Sequence, residues 1–196
     1  DSTRREADGA TRLVIHFHGN AETAAWNLDW AHQLSRRTGA AVLLAEYRGY
    51  AGIPGAPSYE ASLRDARALW HLAQRELGAT PGSTVVHGFS LGSAVATALA
   101  ESVRPRALVL EAPLTSAEDM AARIGPMLRG PLWRFIARVH YDTRGAVAQL
   151  DVPVWVAHGE RDLVIPTAMG RAVFAAARRK GELVTVPGAG HNDIRS

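Results

Sequence analysis

The residues Gly88-Phe89-Ser90-Leu91-Gly92 set a serine between two glycines, directly after the apolar run Thr84 to His87 and directly before a stretch rich in small residues. In a strand-to-helix turn of this kind the serine backbone is strained and its hydroxyl stands above the sheet edge. Glycine is needed at 88 and 92 because side chains there would meet the neighbouring strand and helix. A hydroxyl is a weak nucleophile until a base takes its proton, and an imidazole base needs a carboxylate to hold its tautomer and stabilise its charged form. Asp162 follows the apolar run Val152 to Ala157, and His191 follows Leu183 to Val186. Ser90, Asp162 and His191 in this order, each just past an apolar run, predict a nucleophile, an acid and a base acting through an acyl-enzyme. The competing reading of the motif is a glycine-rich turn whose serine merely caps the next helix.

Other acids compete for the role of Asp162. Glu160 reads as a loop-shaping residue, and Asp193 is too close to His191 in sequence to turn back on it. Glu111, at the end of the run Ala107 to Leu110, is the stronger rival; its structural reading is a buried acid paired with a loop amide or an arginine. The oxyanion of a tetrahedral intermediate needs two aimed backbone N–H groups. Leu91, at the helix start, and Asn20, in Phe17-His18-Gly19-Asn20-Ala21, are the expected donors. His16, His87 and His158 read as core histidines, His32, His71 and His140 fall in helical or inserted segments, and no spacing suggests a metal site.

These groups need a frame. The apolar runs Leu13 to Phe17 and Ala41 to Ala45 join the four named above, and runs apolar on both faces are the mark of buried parallel strands. Helical spacing lies between them, at Ala21 to Arg37, Ser58 to Leu77, Leu91 to Val103 and Thr167 to Arg179. The expected fold is α/β, a mainly parallel sheet of about six strands with helices on both faces, whose strand C-terminal ends carry the site. One domain over residues 1–196 is the economical reading. A helical insertion at about 114–151 breaks its rhythm; its Arg123, Arg129, Arg134 and Arg138 read first as a solvated helical face.

Composition narrows the function classes. With 47% hydrophobic and 21% charged residues the chain has the profile of a globular domain. Without cysteine it cannot use thiolate chemistry, so redox usage leaves the compartment open. No run approaches the ~18 apolar residues of a membrane span, and DSTRREADGA lacks a leader's apolar region. The expected location is the cytoplasm, with a removed N-terminal signal or anchor as the alternative. The net charge is +3 and the arginines are scattered among acids, so nucleic acid is not an expected partner; membrane-surface contact has no specific support.

FHGN at 17–20, EYRGYAGIPGAPSYEASLRDA at 46–66, HGFSLGS at 87–93, LEAPLTS at 110–116, HGERDLVIP at 158–166 and GAGHND at 188–193 together resemble the α/β-hydrolase superfamily. Within it, the HGN loop and YRGY segment are similar to the lid-poor branch of serine aminopeptidase-like hydrolases and eukaryotic protein depalmitoylases. The resemblance implies an ester, thioester or amide hydrolase without cofactor, acting on a small-molecule or acyl-bearing substrate. It assigns the nucleophile to Ser90, the acid to Asp162, the base to His191 and the oxyanion donors to Leu91 and Asn20. Two features depart from it. Only twelve residues precede Leu13 and five follow His191, so the chain reads as trimmed and His191 as loosely held; Glu46 stands where relatives often carry aspartate and is given no role. The short insertion predicts an open site for short or medium acyl groups. A non-catalytic interaction module on the same fold, or an acyltransferase or perhydrolase with the same triad, are the alternatives.

Overall fold

A computed structural model describes residues 12–125 and 140–195. The chain alternates strands and helices: β1 (Leu13–Phe17), α1 (Leu28–Thr38), β2 (Ala41–Leu44), α2 (Tyr59–Leu77), β3 (Thr84–Phe89), α3 (Leu91–Val103), β4 (Ala107–Glu111), α4 (Ala117–Ile124), α5 (Thr143–Gln149), β5 (Pro153–Gly159), α6 (Thr167–Ala176) and β6 (Arg179–Val186). The strands form one six-stranded sheet in the order β2-β1-β3-β4-β5-β6, and every pairing is parallel. From β1 the chain steps outward to β2, then crosses back to β3 on the other side of β1. The order therefore reverses between β1 and β3, the place where the loops at the strand ends diverge and leave a crevice.

Burial explains the apolar runs. Leu13, Ile15, Phe17, Val86, Leu108, Leu110, Val154 and Val156 are all fully buried, as strands covered on both faces require. Helix α3 packs on β1, β3 and β4 and is buried nearly all round, through Gly92, Ser93, Ala94, Val95, Ala96, Thr97, Leu99 and Ala100. Its small side chains let it lie close to the sheet. On α2, Ala61, Ala66, Trp70 and Ala73 form the buried stripe. Ser58 caps that helix by accepting from Ala61 N at 3.1 Å, and Gly78 closes it at φ +63°.

Helix ends depart from the periodicity in two places. The expected helix over 21–37 starts later, because Ala21 takes φ +59° and the loop runs on to a 3-10 turn at Ala24–Asn27. The expected helix over 167–179 stops at Ala176, and Arg179 opens β6. Arg179 and Lys180 are helix-forming residues, but they belong to an edge strand, where charged side chains face water and discourage pairing with another chain. The insertion is fastened at its base: Ser116 and Asp142 pair, Ala117 N donates to Tyr141 O at 2.9 Å, and Arg144 N donates to Thr115 O at 3.0 Å. Arg129, Arg134 and Arg138 lie outside the described residues.

The backbone comes very close to its neighbours at the start of α3. A Cβ on Gly92 would lie 2.1 Å from Phe17 O and 2.6 Å from His18 O, and one on Gly88 would lie 2.3 Å from Gly92 O. These neighbours are backbone and cannot swing aside. Gly92→Ala is therefore expected to cost about 3 kcal/mol or more of stability, in the upper range for overpacking, with urea unfolding as the measurement.

Candidate active site

Ser90 has φ +53° and ψ −120°, a conformation costly for any residue with a side chain. It persists because the flanks determine it. Ser90 N donates to Glu111 O at 2.9 Å, and Ser93 N and Oγ both donate to Ser90 O, at 2.9 and 2.6 Å. The hydroxyl sits at the C-terminal end of β3, at the point where strand order reverses, on a residue that is 8% exposed.

Two loops from distant parts of the chain meet it. His191 Nε2 is 3.0 Å from Ser90 Oγ, and His191 Nδ1 is 2.7 Å from Asp162 Oδ2. Val164 N and Ile165 N donate to the other oxygen, Asp162 Oδ1, at 2.9 and 2.8 Å. His158 Nε2 donates to Ile165 O at 2.8 Å and lies 3.2 Å from Asp162 Oδ2. Asp162 is thus a fully buried carboxylate surrounded by donors, with one oxygen turned to His191. Burial, the largest influence, pushes the His158 pKa below the usual imidazole range and keeps it neutral. A Cβ at Gly170 would lie 2.2 Å from His158 Nδ1, so the glycine in α6 makes room for this support. An Nε2–H that donates both to a carbonyl and toward the acid fixes the tautomer. The arrangement has the geometry for general-base activation of a hydroxyl.

The loops that present these residues are tightly bound. A Cβ on Gly159 would lie 2.1 Å from Gly190 O, so the histidine loop rests directly on the end of β5. Arg161 N donates to Ala189 O at 2.8 Å, and Gly188 N donates to Glu160 Oε2 at 2.9 Å. Glu160 therefore shapes the loop, as its position suggested. Leu91, whose N–H faces the same end, opens α3. Asn20 lies in the loop that leaves β1 against the first turn of α3, and its Oδ1 accepts from Tyr50 Oη at 2.5 Å.

Several contributors carried no motif in the sequence. Glu46 braces the loop before Asn20: His18 Nε2 donates to its Oε1 at 2.9 Å and Ala24 N to its Oε2 at 2.9 Å. Its lack of an assigned role is corrected by these contacts. The expectation of a loosely held His191 is corrected too, since Arg195 binds the Glu111 carboxylate, donates to Asn27 Oδ1 at 3.0 Å, and lies over the Trp30 ring at 4.3 Å. Glu111 is accordingly the buried, arginine-paired acid and is not near His191 Nδ1 in place of Asp162. Tyr47 and Tyr50 line a cavity of about 170 Å³ with Tyr59, Tyr141, Leu91 and Val95.

Comparison with known proteins places this geometry. Residues 8–144 match the family described as Serine aminopeptidase, S33. The chain belongs to this family of α/β-hydrolases. It is 37% identical over 185 residues to an uncharacterised protein of Mycobacterium tuberculosis, covering 94% of this chain and 64% of that protein. It is 30% identical over 190 residues to alpha/beta hydrolase domain-containing protein 17C of Xenopus tropicalis, covering 97% of this chain and 59% of the relative. The chain thus spans less than two thirds of these curated relatives. Among solved structures, Est1E from Butyrivibrio proteoclasticus, bound to ferulic acid, superposes with a TM-score of 0.77 at 20% identity, over 93% of this chain and 82% of that one. Monoacylglycerol lipase from Paleococcus ferrophilus gives 0.68 at 20% identity, over 93% and 87%. At these identities the structures establish the shared fold.

Buried ionisable groups predict that stability of this chain falls in acid. Burial, then the neighbouring His87 and Arg195 charges, push the His16 pKa far down, so His16 and His158 stay neutral in the folded state while the unfolded chain takes up their protons below about pH 6.5. Burial alone would raise the Glu111 pKa, but His87 and Arg195 hold it at about 2 against an ordinary 4.5. Its stabilising contribution, on the order of 3 kcal/mol, is present above pH 4.5 and is lost as pH falls toward 2. Urea unfolding across pH is expected to show stability declining below 6.5 and again below 4.5, and Glu111→Gln is expected to remove the second decline.

Proposed function

We propose that this chain is a serine hydrolase that cleaves carboxylic ester or thioester bonds, and amides where the leaving group allows, through an acyl-enzyme on Ser90. The observation that carries this reading is the continuous hydrogen-bond path Ser90 Oγ to His191 to Asp162, at 3.0 and 2.7 Å, on a serine with strained backbone. His191 takes the hydroxyl proton as Oγ attacks the carbonyl carbon. Asp162 holds the imidazole with Nδ1 protonated and stabilises its charge. The oxyanion forms against the N–H groups of Leu91 and Asn20, and collapse expels the leaving group, which receives the proton from His191. Water then attacks the acyl-enzyme with the same residues in reverse order.

The substrate class follows from the room available. The cavity beside Leu91 is close in size to the roughly 150 Å³ engineered cavity that holds benzene. Four tyrosine rings make its walls largely apolar. A short acyl chain or a single ring fits this cavity. Family membership and the ester- and lipid-cleaving structural neighbours support hydrolysis of small acyl substrates, Est1E being one solved with a ferulic acid ring in place.

On p-nitrophenyl butyrate, Ser90→Ala is expected to lower kcat by more than about a thousandfold. Asp162→Asn, which leaves the shape intact but fixes the wrong tautomer, is expected to cost about ten-thousandfold. The butyrate ester should be cleaved in preference to the palmitate ester. Full activity in Ser90→Ala, or preference for the long chain, contradicts the reading.

A further inference from the structure

Glu111 and Arg195 were not called for by the proposed nucleophile, acid and base, yet they join the segments that carry Ser90 and His191. Glu111 ends β4, and its main-chain oxygen accepts from Ser90 N at 2.9 Å. Its side chain leaves the sheet plane toward His87, Trp30 and Arg195. There one carboxylate oxygen, Oε2, takes Arg195 Nε, and the other, Oε1, lies 3.4 Å from His87 Nε2. His87 Nδ1 is in turn 2.7 Å from His16 Nδ1, with Trp30 stacked beside both rings. His87 therefore lies between the two, with Nδ1 toward His16 and Nε2 toward Glu111. The carboxylate is thereby fixed from behind, and its free oxygen faces the arginine.

Arg195 is four residues beyond His191, on a segment without helix or strand of its own. Its guanidinium is held between rings, 4.3 Å from the Trp30 centroid and 5.4 Å from that of Phe89, while Nη1 donates to Asn27 Oδ1 at 3.0 Å. Phe89 is the residue before Ser90, and its ring stacks on His191 with centroids 5.1 Å apart. Glu111 therefore holds Ser90 by its backbone and the His191 segment by its side chain. Phe89 fills the space between them.

We propose that Arg195 and Glu111 form a positioning clamp that fixes the distance between His191 and Ser90. The clamp rests on the serine hydrolase reading above, because only a proton transfer between those two residues makes their spacing matter. Neither residue touches the reacting atoms. General-base transfer is steep in distance, and a displacement of about 1 Å can cost on the order of a hundredfold in rate. The forked guanidinium is the suitable group, since it meets a carboxylate, an amide oxygen and ring faces simultaneously, whereas an ammonium offers a point charge.

The test compares wild type, Ser90→Ala, Arg195→Gln, Arg195→Lys and Glu111→Gln, with Arg179→Gln as a control at an exposed arginine paired with Asp151. Turnover of p-nitrophenyl butyrate is measured along with the downfield proton resonance of the His191 to Asp162 hydrogen bond. Expected for Arg195→Gln is a kcat roughly ten- to a hundredfold lower with KM within about twofold, and a shifted or broadened resonance. Arg195→Lys recovers part of the rate, Arg179→Gln matches wild type, and adding Glu111→Gln to Arg195→Gln costs little more, because one interaction cannot be lost twice. Wild-type kcat and an unaltered resonance in Arg195→Gln overturn the clamp while leaving the hydrolase reading in place. Failure of Ser90→Ala to abolish turnover overturns that reading, and the clamp with it. Should Arg195→Gln not fold, Arg195→Lys carries the comparison: a reduced kcat with an altered resonance supports the clamp, and wild-type values overturn it.

Discussion

The contact between the first turn of α3 and the end of β1 determines the rest of the site. At Gly92 the helix backbone comes so near the Phe17 and His18 carbonyls that a single methyl group has no room. That approach draws the β1 loop, with Asn20, toward the helix N-terminus. It also obliges the chain to turn sharply between Phe89 and Leu91, which is why Ser90 is forced to φ +53°. Strain at Ser90 is thus a consequence of close packing on both sides, and the helix dipole and free N–H groups at the start of α3 are aimed at the same spot.

Around this fixed point, the remaining groups are positioned by polar contacts on neighbouring strand ends. Asp162 is held by two amides and by neutral His158, with Gly170 leaving space for that ring. His191 is carried by a loop pressed against Gly159 and bound through Arg161 and Glu160. Buried polar groups are costly unless paired, so each of these supports both satisfies a group and removes a degree of freedom. The expected acid sensitivity of the fold and the orientation of Asp162 and His191 have a common origin in such buried pairs.

Much of this was legible from residue types alone. Strand positions followed from β-branched runs, α3 from its small residues and α2 from its caps, because each signal is local. Ser90, Asp162 and His191 stood out because each follows an apolar run, and strand ends in a parallel sheet converge on one edge. What could not be read was long-range pairing between residues without a motif. Glu46 meets His18 and Ala24 across 28 and 22 residues, and Glu111 meets Arg195 across 84. Nothing in the spacing of those residues records the contact. The end of α6 was overrun for the opposite reason: Arg178-Arg179-Lys180 favours helix locally, and only the sheet edge draws Arg179 and Lys180 into a strand.

The central claim is that Ser90 is an activated nucleophile rather than a capping serine. Intact-mass analysis after exposure to a fluorophosphonate tests it most directly, because phosphonylation requires both an activated hydroxyl and an assembled oxyanion site. The account predicts one adduct per chain, located on the peptide that carries Ser90 and absent from Ser90→Ala. A folded chain that takes up no adduct, or takes it up at another residue, would contradict the account.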